Sequence, residues 1–135
     1  MLDLFVSFSQ VMTGDSDLDR KLAMVYLARI EGEPAGVGLP ALLHLFQDIV
    51  AGGGDVETQV RQRILEDPEH WPLARQILLL WYTSALRSTG GGGKAVWIPG
   101  TEEEYFGALI WPAIRAHPPG LSGGYFGHWT YPPEN

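Results

Sequence analysis

Apolar residues recur along this chain at spacings of three and four positions, the period of an α-helix. Leu4, Phe5, Phe8, Val11 and Met12 form the first such run, and Gly14 follows as a stop. Asp15, Ser16 and Asp17 offer capping oxygens for a second helix, whose apolar face reads Leu18, Leu22, Val25, Tyr26 and Ile30. Gly32 to Pro34 ends it, and Gly36 to Gly38 reads as a loop. Pro40 suits the first turn of a third helix, with Leu42, Leu43, Phe46, Ile49 and Val50 as its buried stripe and Gly52 to Gly54 as its stop. Asp55 can cap a fourth helix, with Val56, Val60 and Ile64 in one row and Pro68 after it. Pro72 opens a fifth through Leu73, Ile77, Leu80 and Trp81. Because Ile77 to Tyr82 is apolar on all sides, this helix is expected to be the most buried.

Beyond it the pattern changes. Ser88 to Gly93 is a glycine-rich connector, and Trp97-Ile98-Pro99 is too short for an independent strand. Thr101 and Glu104 have capping-box spacing for a sixth helix, continued by Phe106, Leu109 and Ile110, and Pro112 should kink or end it. From Pro118 to Asn135 proline, glycine and aromatic residues follow without helical period. The pattern predicts an all-α fold: about six helices in a compact bundle over residues 1–117, and an extended C-terminal arm over 118–135. Tyr125, Phe126, Trp129 and Tyr131 of that arm must pack somewhere, either over this domain's own core or against a partner.

Composition narrows the function classes. The chain has 135 residues, 45% of them hydrophobic and 19% charged, which suits one globular domain with a real core. A formal net charge of −7 argues against a nucleic-acid partner and against charge-driven docking on anionic lipid. With no cysteine, disulfides and thiolate chemistry are excluded. The apolar run around Ile77 to Trp81 is far short of a membrane span, and no charged leader precedes Leu4, so the sequence suggests neither a spanning segment nor an export signal.

The motifs that could carry chemistry fail on spacing or context. Gly90 to Gly93 with Lys94 lacks the first glycine of a P-loop, where Ser88 stands, and the hydroxyl after the lysine, where Ala95 stands. Gly90, Gly92 and Ala95 fit a dinucleotide fingerprint, but a helix is expected before the run and Ile98-Pro99 after it. Gly120, Ser122 and Gly124 fit a nucleophile elbow, with prolines in place of the preceding strand and too little chain after it for an acid and a histidine. His44, His70, His117 and His128 show no paired metal-ligand spacing. His44 reads as a core or boundary histidine, with Asp48 one turn on. Glu66, Asp67 and Glu69 surround Pro68, and Glu102 to Glu104 complement a helix dipole. No catalytic, cofactor or metal set is expected.

Several clusters together resemble the small subunit of the bacterial membrane-bound, FAD-containing sorbitol, fructose and glucose dehydrogenase complexes. They are Phe8-Ser9-Gln10-Val11-Met12-Thr13-Gly14, Leu18-Asp19, Leu22-Ala23, Tyr26-Leu27, Ile77, Trp81-Tyr82, Tyr105, Ala108-Leu109, Trp111, Pro118-Pro119-Gly120, Gly123-Gly124, Phe126-Gly127, Trp129 and Pro132-Pro133. The resemblance implies an accessory chain without a cofactor that helps a large flavoprotein subunit fold, mature and leave the cytoplasm. FAD would sit in that partner, a cytochrome c subunit would take the electrons, and the location would be periplasmic. The family's twin-arginine leader is not seen here, which leaves a cytoplasmic location open. Ser122 stands where the family often has a cysteine, so the implied association is non-covalent. The expected partner contacts are Trp81, Tyr82, Trp111, Tyr125, Phe126 and Trp129, with a core role as the alternative for the first three. The alternatives are a free-standing helical adaptor, or a small enzyme whose site, with His128 beside an acid, assembles only in three dimensions.

Overall fold

A computed structural model describes residues 1–88, 96–101, 104 and 107–110. Five α-helices dominate it, and the fold is all-α in class. They are α1 (Leu2–Thr13), α2 (Arg20–Glu31), α3 (Leu39–Ala51), α4 (Val56–Val60) and α5 (Trp71–Thr83). A 3₁₀ turn, Pro34–Gly38, leads into α3, and α4 continues as a π-helical turn, Arg61–Leu65. Two short strands, β1 (Leu86–Ser88) and β2 (Val96–Ile98), pair antiparallel with Leu86 opposite Ile98.

Local chemistry sets most of these boundaries. Gly14 takes the left-handed conformation at φ 73° and closes α1 by donating its N–H to the Gln10 carbonyl. Asp55 caps α4, its carboxylate accepting from the Thr58 N–H at 3.4 Å and the Thr58 hydroxyl at 2.6 Å. These bonds hold the Asp55 carboxyl below the usual carboxylate range. Pro40 and Pro72 occupy first turns, where a missing N–H costs nothing. The cap of α2 is Asp19, not Asp15 to Asp17; its Oδ1 accepts from Lys21 N at 2.8 Å and Leu22 N at 3.4 Å. Asp15 instead holds a turn by accepting from Asp17 N, and Leu18 lies just outside the helix.

The core sits where α1, α2, α3 and α5 meet. Phe5, Phe8, Tyr26, Leu42, Phe46, Ile49, Ile77, Leu80 and Trp81 are all within 2% of full burial. Each such side chain contributes roughly 1.5–3 kcal/mol by leaving water. Phe8 meets Phe46 edge-on at 5.3 Å, and Tyr26 meets Trp81 edge-on at 5.0 Å. The predicted stripes were too wide: Val25 and Val50 face solvent, whereas Ala23 and Leu39 are buried. Pro34–Ala51, not the run around Ile77, is apolar and long enough by composition to cross a membrane, yet Leu39, Leu42, Leu43, Phe46 and Ile49 of α3 are buried in the core.

The C-terminal part departs further from expectation. Thr101 and Glu104 do form the reciprocal capping-box bonds, both at 3.2 Å. A helix through Leu109 does not follow, because Gly107 to Leu109 is a turn and the Leu109 N–H donates to the Trp81 carbonyl at 2.9 Å. Trp97 and Ile98 belong to β2, a strand that exists only by pairing with β1. A strand, not a helix, therefore precedes the glycine run. The dinucleotide reading still fails, because another antiparallel strand follows it. The expected arm over 118–135 lies outside the described residues.

Candidate functional site

Two places in the described residues gather ionisable groups. At the first, Arg29 projects from the last turn of α2. Its Nη1 donates to the Ser84 carbonyl and to Glu104 Oε2, both at 2.9 Å, and its Nη2 donates to the Ile98 carbonyl at 2.8 Å. Ser84 adopts the left-handed conformation, φ 57°, at the end of α5, which turns the chain there. Glu104 is almost fully buried, and its Oε2 also accepts from the Thr101 N–H. One guanidinium thus ties α2 to the end of α5, to β2 and to the residue that closes the capping box. Arg29 suits this task because its planar fork supplies several donors at fixed angles.

The same geometry limits the chemistry. The Glu104 carboxylate is engaged by Arg29 and Thr101, so it is a poor general base. Tyr26 lies nearby, and burial, reinforced by the Glu104 charge, pushes its phenol well above the ordinary value. It stays protonated at any physiological pH. Its hydroxyl, like Trp81 Nε1 and Ser9 Oγ, is buried with no hydrogen-bond partner among the described residues.

The second place is the turn before α5. His70 Nδ1 pairs with Asp67 Oδ2, and Asp67 Oδ1 accepts from Glu69 N at 3.1 Å. The His70 hydrogen bond, helped by the Glu69 N–H, lowers the Asp67 carboxyl below its usual range. Ligand atoms of Asp67, Glu69 and His70 lie within 4.8 Å of one another, close enough to converge on one cation. Sequence spacing gave no sign of this trio. The local structure also accounts for it without an ion: the Asp67 carbonyl accepts from Trp71 N at 2.9 Å, and the carboxylates sit at the positive end of the α5 dipole, which favours anions and opposes a dication. A cavity of about 320 Å³ lies beside it, lined by Ala35, Gly38, Ala41, Leu73, His70 and Gln76 among others.

The residues expected to meet a partner separate. Trp81 is 2% exposed and packs on Tyr26, so it is a core residue rather than a contact. Trp81 lies on the face of α5 that also buries Leu73, Ala74, Ile77 and Leu80, whereas Trp71 at the start of the same helix is exposed. Tyr82 is half-buried. Trp111, Tyr125, Phe126 and Trp129 lie outside the described residues, as do His117, Ser122, His128 and Gly90 to Lys94. His44 is exposed, 3.6 Å from Asp48, rather than a core or boundary residue. The apolar side chains that do face solvent include Met24 and Val25 on α2 and Trp97 and Ile98 on β2, the two elements that Arg29 joins. Met24 was open to inference: two residues from both Leu22 and Tyr26, it falls on the far side of α2 from that apolar row.

The sequence matches no family model, and comparison with curated proteins likewise finds no match.

Proposed function

We propose that this chain is a non-catalytic small subunit that binds, stabilises and helps mature the large flavoprotein subunit of an FAD-dependent sugar or alcohol dehydrogenase in the periplasm. The family part of this reading rests on the residue clusters spread along the sequence. The binding part is carried by one observation: Met24, Val25, Trp97 and Ile98 are exposed on the adjoining elements α2 and β2. Aromatic and aliphatic side chains held on a fixed frame are the usual anchors of a protein interface. Arg29 supplies the frame.

The mechanism is mass action. A chain that binds the folded flavoprotein and not its unfolded form raises the folded-to-unfolded ratio by a factor that grows with its own free concentration. FAD and the oxidation of substrate belong to the large subunit, and electrons would pass from there to a cytochrome c subunit. The tagged chain should therefore recover a large protein with flavin absorbance from its native cell extract. Recovery of the chain alone, colourless, would sink the reading.

A further inference from the structure

We infer that the cavity between the 3₁₀ turn, α3 and the start of α5 is a binding site for a small organic ammonium ion, a primary amine carrying a short apolar body. Its walls are apolar where these elements meet: Ala35 on the 3₁₀ turn, Ala41 on α3, and Pro72 and Leu73 in the first turn of α5. Its polar end is formed by Glu69 and His70. At about 320 Å³ it lies at the small end of ligand cavities, and it far exceeds the roughly 30 Å³ that one water fills. That size suits a short aliphatic body rather than a bare ion.

The polar end presents two acceptors. Asp67 Oδ2 accepts from His70 Nδ1, so the neutral ring carries its lone pair on Nε2. The His70 side chain is only 19% exposed, which limits competition from water. A Glu69 carboxylate oxygen lies within 4.8 Å of a ring nitrogen of His70. An ammonium nitrogen has three donors and bonds at about 2.8 Å, so one nitrogen spans two acceptors at that spacing. Charge favours the same class. Asp67 and Glu69 set two full negative charges against about half a positive charge from the α5 dipole. A metal ion would compete with the Asp67–His70 bond, whereas an ammonium ion donates to Glu69 and Nε2 and leaves that bond intact. An anionic ligand would meet the Glu69 charge directly.

Titration of the full chain with n-pentylammonium chloride at constant ionic strength, followed through amide chemical shifts, tests this. The shifts should saturate and centre on Ala41, His70 and Leu73. 1-Pentanol lacks the charge and methylammonium lacks the body, and each should bind at least about 10-fold more weakly. Glu69→Gln removes the charged acceptor, and Ala41→Leu fills the cavity from α3. Each should weaken pentylammonium binding by about 10-fold or more. Both positions are exposed, so both variants keep the fold. Shifts that do not saturate, equal affinity for methylammonium or 1-pentanol, or undiminished binding in either variant would overturn the inference.

Discussion

Replacing Gly36 with alanine should destabilise this protein by about 3 kcal/mol, although the change adds one methyl group. Gly36 lies in the 3₁₀ turn after α2, and its backbone φ is not positive, so alanine meets no conformational barrier. The obstacle is distance. An added Cβ would stand 1.9 Å from the Ile30 carbonyl oxygen and 2.8 Å from its carbon. Relief needs a movement of at least about 1.1 Å, and both atoms are backbone, so no side chain can swing aside. That carbonyl also accepts from Glu33 N at 3.0 Å, and Glu33 in turn accepts from Gly36 N at 2.9 Å. Overpacking costs about 1–3 kcal/mol, and loss of the Glu33 bond adds about 1. Urea denaturation measures the loss directly, and the melting temperature should fall by about 10 °C. Gly14→Ala is the control. Its Cβ would meet nothing within 4 Å, but φ is +73°, so it should cost only the conformational penalty, about 1–2 kcal/mol. Trimming the Ile30 side chain should not rescue Gly36→Ala, because the obstacle is main chain. A Gly36→Ala protein within 0.5 kcal/mol of wild type would refute the argument.

Other substitutions test other parts of the structure. Tyr26→Phe removes a buried hydroxyl that has no partner among the described residues, so thermal melting should show it neutral or more stable by up to about 1 kcal/mol; a clear loss would reveal a bond to that oxygen. The Asp55 and Asp67 carboxyls are lowered in the folded state by hydrogen bonds from Thr58 and His70 respectively. Their stabilisation is therefore present above the unfolded carboxylate value, about 3.9, and is lost as pH falls through the lower folded value. An acid titration by circular dichroism should show a weaker acid-induced loss in the Asp55→Asn, Asp67→Asn double variant than in wild type. Val25→Lys with Trp97→Ser should leave the melting temperature within about 2 °C, since both residues are exposed, while cutting recovery of the flavoprotein partner.

The sequence showed helix ends better than helix faces. Gly14, Pro40, Asp55 and Pro72 act through their own local chemistry, and each does in the structure what its residue type dictates. The start of α2 was ambiguous because Asp15, Ser16, Asp17 and Asp19 can all cap. Packing of Ala23, Tyr26 and Ile30 on the rest of the core fixes the phase and selects Asp19. Trp81 was open to two readings for a related reason: an aromatic can anchor either a core or an interface, and only the neighbouring helices decide. The Arg29 junction lay furthest from view. It joins residues 75 positions apart and depends on two main-chain carbonyls, which leave no trace in a residue pattern. The hairpin escaped notice because three-residue strands fall below any usable period.

The apolar stretch Pro34–Ala51 has a consequence for how the chain is made. As it leaves the ribosome it presents a segment that membrane-insertion machinery could accept. Among the described helices, α1 and α2 precede it; α4 and α5, which also pack around α3 and the turn before it, are synthesised later. For that interval the segment's fate is a race between docking against Phe8 on α1 and capture by another apolar environment. The order of helices along the chain, and not only their final packing, helps decide whether this protein becomes the bundle described here.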